Sequence, residues 1–185
     1  METKFRILTP YDLGKNLANY YNREVEALPE DDWWAIFVDG DACFVCSDFG
    51  HQIQSIIENN PDYGLFTCMS NRIGTDYMKI DGLFEEKDFT KIWKKGREIQ
   101  KDNYNTMVDI TNKSPLSGVL IAIRKDVWKK SGGFSDKYGK VLGVDNSIHY
   151  AVRDNTNYKI GLAIGLTVFH YYRFNEGIQD KSHLV

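Results

Sequence analysis

The sequence predicts an α/β fold: one domain with a mostly parallel central sheet flanked by helices. Three observations predict it. Short apolar runs alternate with longer stretches of helical period, and that alternation is the signature of parallel strands joined by crossover helices. The run Trp33-Trp34-Ala35-Ile36-Phe37-Val38 is short, aromatic and β-rich, so it reads as a buried strand. The length of 185 residues suits one domain with a core of its own. The domain is expected over 1–174, followed by a polar tail over 175–185.

The elements are expected in the following order. Phe5-Arg6-Ile7-Leu8-Thr9 is a first strand, broken by Pro10-Tyr11-Asp12. A helix runs from Leu13 to Leu28, with Leu13, Leu17, Tyr20, Tyr21 and Val25 on one face. Pro29 and an acidic turn lead into the Trp33–Val38 strand, and Ala42-Cys43-Phe44-Val45-Cys46 reads as another. Ile53, Ile56 and Ile57 mark a helix that ends at Asn59-Asn60-Pro61. Gly64 to Met69 is a strand, and Ser70 to Phe84 a long loop of the kind that often carries function. Glu85 to Asn103 is a charged helix, whose Lys94-Lys95-Gly96-Arg97 run reads as a solvated face. Gly118 to Ile123 is a strand and Lys125 to Lys130 a short helix stopped by Gly132-Gly133. Asp145 to Arg153 is a helix, and Ile160 to Phe169 a last strand ending at His170.

Composition narrows the function. The net charge of −3 gives no electrostatic reason to expect nucleic acid. No apolar stretch reaches the length of a membrane span, and the Met1-Glu2-Thr3-Lys4 start has no signal-peptide core, so a cytoplasmic protein is expected. Three cysteines, an odd number, are expected as reduced thiols. Cys43 and Cys46 are spaced to fall on opposite faces of a strand, which argues against a zinc pair. Aromatic residues make up 14% of the chain, a richness that suits sugar handling as well as a core.

The sharpest chemical signal is Asp39-Gly40-Asp41, directly after the apolar run. Residues i and i+2 of an extended segment share a face, so both carboxylates are expected to point the same way at the strand's carboxyl end. Open α/β sheets bind ligands at that end. Two adjacent carboxylates repel unless a cation joins them, and hard oxygen ligands suit Mn²⁺ or Mg²⁺, which in turn hold a diphosphate. The competing reading is an Asp-Gly surface turn. Further along stand Gly132-Gly133-Phe134, the helix-opening Asp145, and His170 closing the last strand.

In order and type, these pieces resemble the metal-dependent glycosyltransferases of the GT-A fold, especially the family-2-like group. The matching segments are Thr9-Pro10-Tyr11, Asp39-Gly40-Asp41, Ser117-Gly118 with Arg124, Gly132-Gly133-Phe134-Ser135-Asp136, Asp145 with Arg153, and Val168-Phe169-His170. The resemblance implies a compact GT-A (nucleotide-diphospho-sugar transferase) domain that moves a sugar from a nucleotide-sugar donor to an acceptor hydroxyl with inversion. UDP is the donor nucleotide favoured in that group. It implies that Thr9 and Tyr11 line the nucleotide pocket and that Asp39 faces ribose or metal. Asp41 is then the principal metal ligand and His170 joins it, while Asp145 is the general base. Lys15, Asn16 and Arg72 are added as nucleotide or phosphate contacts on charge and expected position alone. The acceptor is a carbohydrate, a lipid-linked molecule or a protein.

The chain departs from that group in two places. One helix, rather than a further β-α unit, separates the first strand from the Asp pair, and Asp12 is the candidate to replace the acidic base contact which that unit supplies. The acidic pair before the catalytic helix is reduced to Val144-Asp145. A short acceptor side implies a small acceptor, or completion by a partner protein or a second copy. Two other readings stay open. One is a sugar-nucleotide-binding module without catalysis. The other is a haloacid-dehalogenase-like phosphohydrolase with Asp39 as nucleophile and Asp41 as acid/base.

Overall fold

A computed structural model describes residues 3–171. The expected 175–185 tail lies outside the described residues. One seven-stranded sheet forms from β1 (Phe5–Leu8), β2 (Trp34–Val38), β3 (Ala42–Phe44), β4 (Tyr63–Ser70), β5 (Met107–Asp109), β6 (Leu120–Arg124) and β7 (Lys159–His170). The helices are α1 (Leu17–Glu26), α2 (Phe49–Asn59), α3 (Phe89–Asn103), α4 (Lys125–Ser131) and α5 (Val144–Asn155). The strand order is β1-β2-β6-β4-β7-β3, with β5 also on β7.

Strands β1, β2, β4 and β7 run one way, with direct parallel pairing in β1–β2 and β4–β7. Strand β6 sits antiparallel between β2 and β4, and β3 and β5 pair antiparallel with β7. The sheet is open and mostly parallel in strand direction, as expected, with β3, β5 and β6 as its antiparallel members. Every residue of β2 is buried, as expected for a strand covered on both faces.

Several boundaries move for local reasons. Helix α1 begins at Leu17 rather than Leu13, because the Asn16 side chain accepts from the Asn19 N–H and caps the helix there. Leu13, expected on the buried face, is 86% exposed. Helix α3 begins at Phe89 rather than Glu85, capped by Asp88 through Thr90 N at 2.9 Å. Strand β3 ends at Phe44, so Cys46 lies beyond it, and all three thiols are free. The Ser70–Phe84 loop holds one short 3-10 turn at Asp76–Met78 and buries Ile73, Met78, Ile80 and Leu83.

Strand β7 bends in its middle. Its register on β4 jumps between Cys68–Ala163 and Met69–Thr167. Gly165 sits in the skipped stretch, where a Cβ would come within 2.1 Å of the Asn103 carbonyl oxygen. Only glycine fits there. The bend lets the first half of β7 pair with β5 and the second half with β3, and carries His170 to the carboxyl edge of the sheet. No helix of the described residues is long and apolar enough to cross a membrane.

Candidate functional site

The carboxyl ends of three parallel strands meet at one edge. Strand β2 delivers Asp39, β4 delivers Asn71 and Arg72, and β7 delivers His170. Antiparallel β6 starts at this same edge, so Gly118 lies there too.

The Asp pair converges by a route other than strand alternation. Strand β2 ends at Val38, and Asp39 to Ala42 forms a turn closed by Ala42 N donating to Asp39 O at 3.0 Å. The Asp39 N–H donates to Val119 O at 3.1 Å, and Asp41 O accepts from Tyr171 N at 2.9 Å. The Asp-Gly turn and the converging carboxylate pair are thus one feature. His170 Nε2 lies 3.2 Å from Asp41 Oδ1 and 3.9 Å from Asp39 Oδ2. One ligand atom from each of the three residues lies within 4.8 Å of the others.

His170 is held from behind. Its Nδ1 lies 2.9 Å from the Arg72 carbonyl. A carbonyl only accepts, so Nδ1 carries a proton and Nε2 faces the carboxylates. The buried Asn71 amide clasps the backbone of the same residue: His170 N–H donates to Asn71 Oδ1 at 2.7 Å, and Asn71 Nδ2 donates to His170 O at 3.3 Å. Orientation of a ligand histidine through its second nitrogen is the usual way a protein fixes a metal ligand.

The charges answer to their surroundings. Burial pushes the Asp39 carboxyl up to about 6; His170 opposes the shift, and Asp41 and Asp145 reinforce it. Asp41 is held below the usual carboxylate range, chiefly by its hydrogen bond to His170. Two carboxylates and an imidazole with its far nitrogen engaged form a donor set that fits Mn²⁺ or Mg²⁺.

Asp145 stands in the first turn of α5, where the N-terminal backbone favours a carboxylate. Its Oδ2 accepts from Gly118 N at 3.1 Å and its Oδ1 from Asn146 N at 2.9 Å. Burial raises its pKa against these two bonds. The preceding Gly143 adopts φ 87, a left-handed conformation, and a Cβ there would strike Tyr138. The Gly132-Gly133-Phe134 segment anchors the approach. Gly132 ends α4 in the left-handed region, and Phe134 packs on Tyr21 and Phe37. The Asn22 side chain accepts from Phe134 N and Trp128 Nε1 and donates to Phe134 O.

Asp39, Gly40, Asp41, Asp145 and His170 all line one cavity of about 650 Å³. Six of the residues singled out from the sequence lie outside its lining. Thr9 sits beside it, in van der Waals reach of Gly40. Tyr11 is 71% exposed. Asp12 accepts from Asn16 N at 2.8 Å and organises the turn into α1, in which Lys15 has φ 51. Asn16 caps α1 and donates to Asp136 at 3.3 Å. The Arg72 guanidinium reaches the Phe84 carbonyl and Glu85, and its backbone carbonyl meets His170 Nδ1.

Sequence reasoning passed over Asn71, which orients His170 without touching the cavity, and Tyr138, Leu142 and Asn146, which line it. For Tyr138 and Leu142 a signal was present: with Val141 they are three large apolar or aromatic side chains around Gly139 and Gly143, in an otherwise polar loop.

No protein-family model matches the chain, and no curated protein matches it. Among solved structures, the chain is similar to a mannosyltransferase from Pyrobaculum calidifontis in complex with GDP-Man and Mn2+, at a TM-score of 0.46 and 14% identity. The match covers 83% of this chain and 35% of the other, so this chain spans about a third of its length.

Proposed function

We propose that this chain is a metal-dependent glycosyltransferase, moving a sugar from a nucleotide-sugar donor to an acceptor hydroxyl with inversion. One observation carries the reading. The three candidate metal ligands and the candidate base, drawn from three separate stretches of the sequence, line one cavity large enough for a substrate.

Asp39, Asp41 and His170 would hold Mn²⁺ or Mg²⁺. A divalent ion in that position neutralises the charge that develops on a departing diphosphate. Asp145 takes the proton of the acceptor hydroxyl. Burial makes its carboxylate more basic, and the Gly118 and Asn146 N–H groups fix its direction. A positioned base of this kind contributes about 10²–10⁴-fold. Attack from the base's side, opposite the leaving group, inverts the anomeric centre. Tyr138, Val141 and Leu142 form an apolar wall suited to a sugar's C–H face.

The test is a thermal-shift screen with UDP, GDP, CDP and their sugars, with and without Mn²⁺, followed by a transfer assay on the stabilising donor. Metal-dependent stabilisation with turnover supports the proposal, with UDP the expected base. Stabilisation without transfer or donor hydrolysis would instead mark a binding module. Phosphate release from small phosphomonoesters would mark a phosphohydrolase.

A further inference from the structure

Beside the candidate site lies a surface that neither the cavity nor the core uses. Phe89 and Trp93, one turn apart on α3, are 46% and 45% exposed. The Phe89 ring meets Phe169 edge-on at 5.7 Å, and Phe169 meets Tyr171 at 6.4 Å. This aromatic row therefore runs from α3 to the residue that follows His170. Along the same flank, Trp93, Lys94, Arg97, Lys101, Tyr104 and Asp48 line an open groove of about 500 Å³.

Helix α3 is rich in basic side chains. The chain as a whole is net negative, yet α3 carries five basic side chains against two acidic ones. Three are neutralised locally: Lys91 pairs with Glu86, Lys95 with Glu98 and Arg97 with Asp48. Lys94 and Lys101 make no ion pair among the described residues. Exposed rings with unneutralised lysines at their margin match the interface of an anionic bilayer. Amphipathic rings settle at headgroup depth there, and lysine stems lie on apolar surface while their ammonium groups reach the lipid phosphates. A fluid interface also tolerates the open form of the groove.

We propose that this flank of α3, bearing Phe89, Trp93, Lys94 and Lys101, docks on an anionic lipid bilayer. Docking sets the Asp39–Asp41–His170 edge of the sheet beside the lipid surface. The inference stands apart from the transferase reading, because its readout is lipid binding alone.

The experiment is sedimentation of the full chain with vesicles of phosphatidylcholine alone and of phosphatidylcholine mixed with phosphatidylglycerol. Binding to the mixed vesicles only, weakened by salt, is expected. The Lys94→Glu/Lys101→Glu double variant should lower the partition roughly fivefold for each positive charge removed. Trp93→Ala should lower it with an unchanged melting midpoint. Because both lysines are exposed, the charge variant tests the proposal even if Trp93→Ala unfolds. Absence of binding, equal binding to both vesicle types, or binding indifferent to the lysine substitutions would overturn it. So would displacement from vesicles by equimolar soluble polyglutamate, which would make the partner an acidic polypeptide. Concentration-dependent dimerisation abolished by Trp93→Ala would overturn it in favour of a second copy.

Discussion

His170 presents Nε2 to the Asp41 carboxylate at 3.2 Å because the Arg72 carbonyl, 2.9 Å away, holds the opposite ring nitrogen. The pairing joins a turn after β2 to the last residue of β7. It depends on the bend of β7 and on the Asn71 clasp, neither of which touches the cavity.

Asn71→Ala should weaken the site without altering a ligand. The substitution leaves the buried His170 N–H and C=O without their side-chain partner. Loss of such a partner costs about 1–3 kcal/mol of stability. Loss of ligand orientation costs about 10–100-fold in metal affinity. Mn²⁺ titration calorimetry beside a melting curve separates the two effects.

Gly165→Ala should destabilise the whole fold. Its Cβ would lie 2.1 Å from a backbone oxygen, which must move. A cost of roughly 3 kcal/mol is expected, at the upper end of overpacking penalties. Urea denaturation measures it, and a change under about 0.5 kcal/mol, the range of an ordinary surface substitution, would contradict the packing described.

The pH dependence of metal binding should follow Asp39. Its carboxyl titrates near 6, so protons compete with the cation below that value, and Mn²⁺ affinity is expected to fall as pH drops through about 6. Stability without metal runs the other way. The folded-state pKa lies above the unfolded value, so the buried charge is a burden above pH 6 that is relieved as pH falls towards 4. Asp39→Asn at pH 8 without divalent ions should therefore raise the melting midpoint by roughly 2–4 °C, about 1 kcal/mol after allowing for the carboxylate's partial exposure. The difference should close near pH 4.

Asp145→Asn should separate binding from chemistry. The amide oxygen still accepts from one of the two N–H groups, so donor binding is expected to persist. Transfer should fall by about 10²–10⁴-fold. Equal loss of both would place Asp145 in donor binding instead.

Much of this was legible in the sequence, for identifiable reasons. Strands β2, β4, β6 and β7 are dense apolar runs, and burial on both faces leaves that mark. The three-residue β5 leaves none. The insertion of β6 between β2 and β4 is a choice of neighbour, which order along the chain does not encode. Helix starts at Leu17 and Phe89 followed the capping side chains of Asn16 and Asp88 rather than the apolar period. In the site, the carboxylates and His170 were visible because their chemistry is tied to residue type. Asn71 and the Arg72 carbonyl were not, because any segment ending beside β7 offers a backbone carbonyl and an asparagine has many uses.

On the proposed reading, Asp39, Asp41 and His170 together hold a divalent ion for a nucleotide. The direct measurement is the melting midpoint of wild type, Asp41→Ala and His170→Ala with UDP or GDP, with and without Mn²⁺. At a ligand concentration of about 100 Kd, wild type should gain roughly 2.7 kcal/mol, about 5–10 °C, only when metal and nucleotide are both present. Both variants should lose that gain while melting normally without ligand. A nucleotide shift that ignores Mn²⁺, or one retained in Asp41→Ala, would contradict the claim.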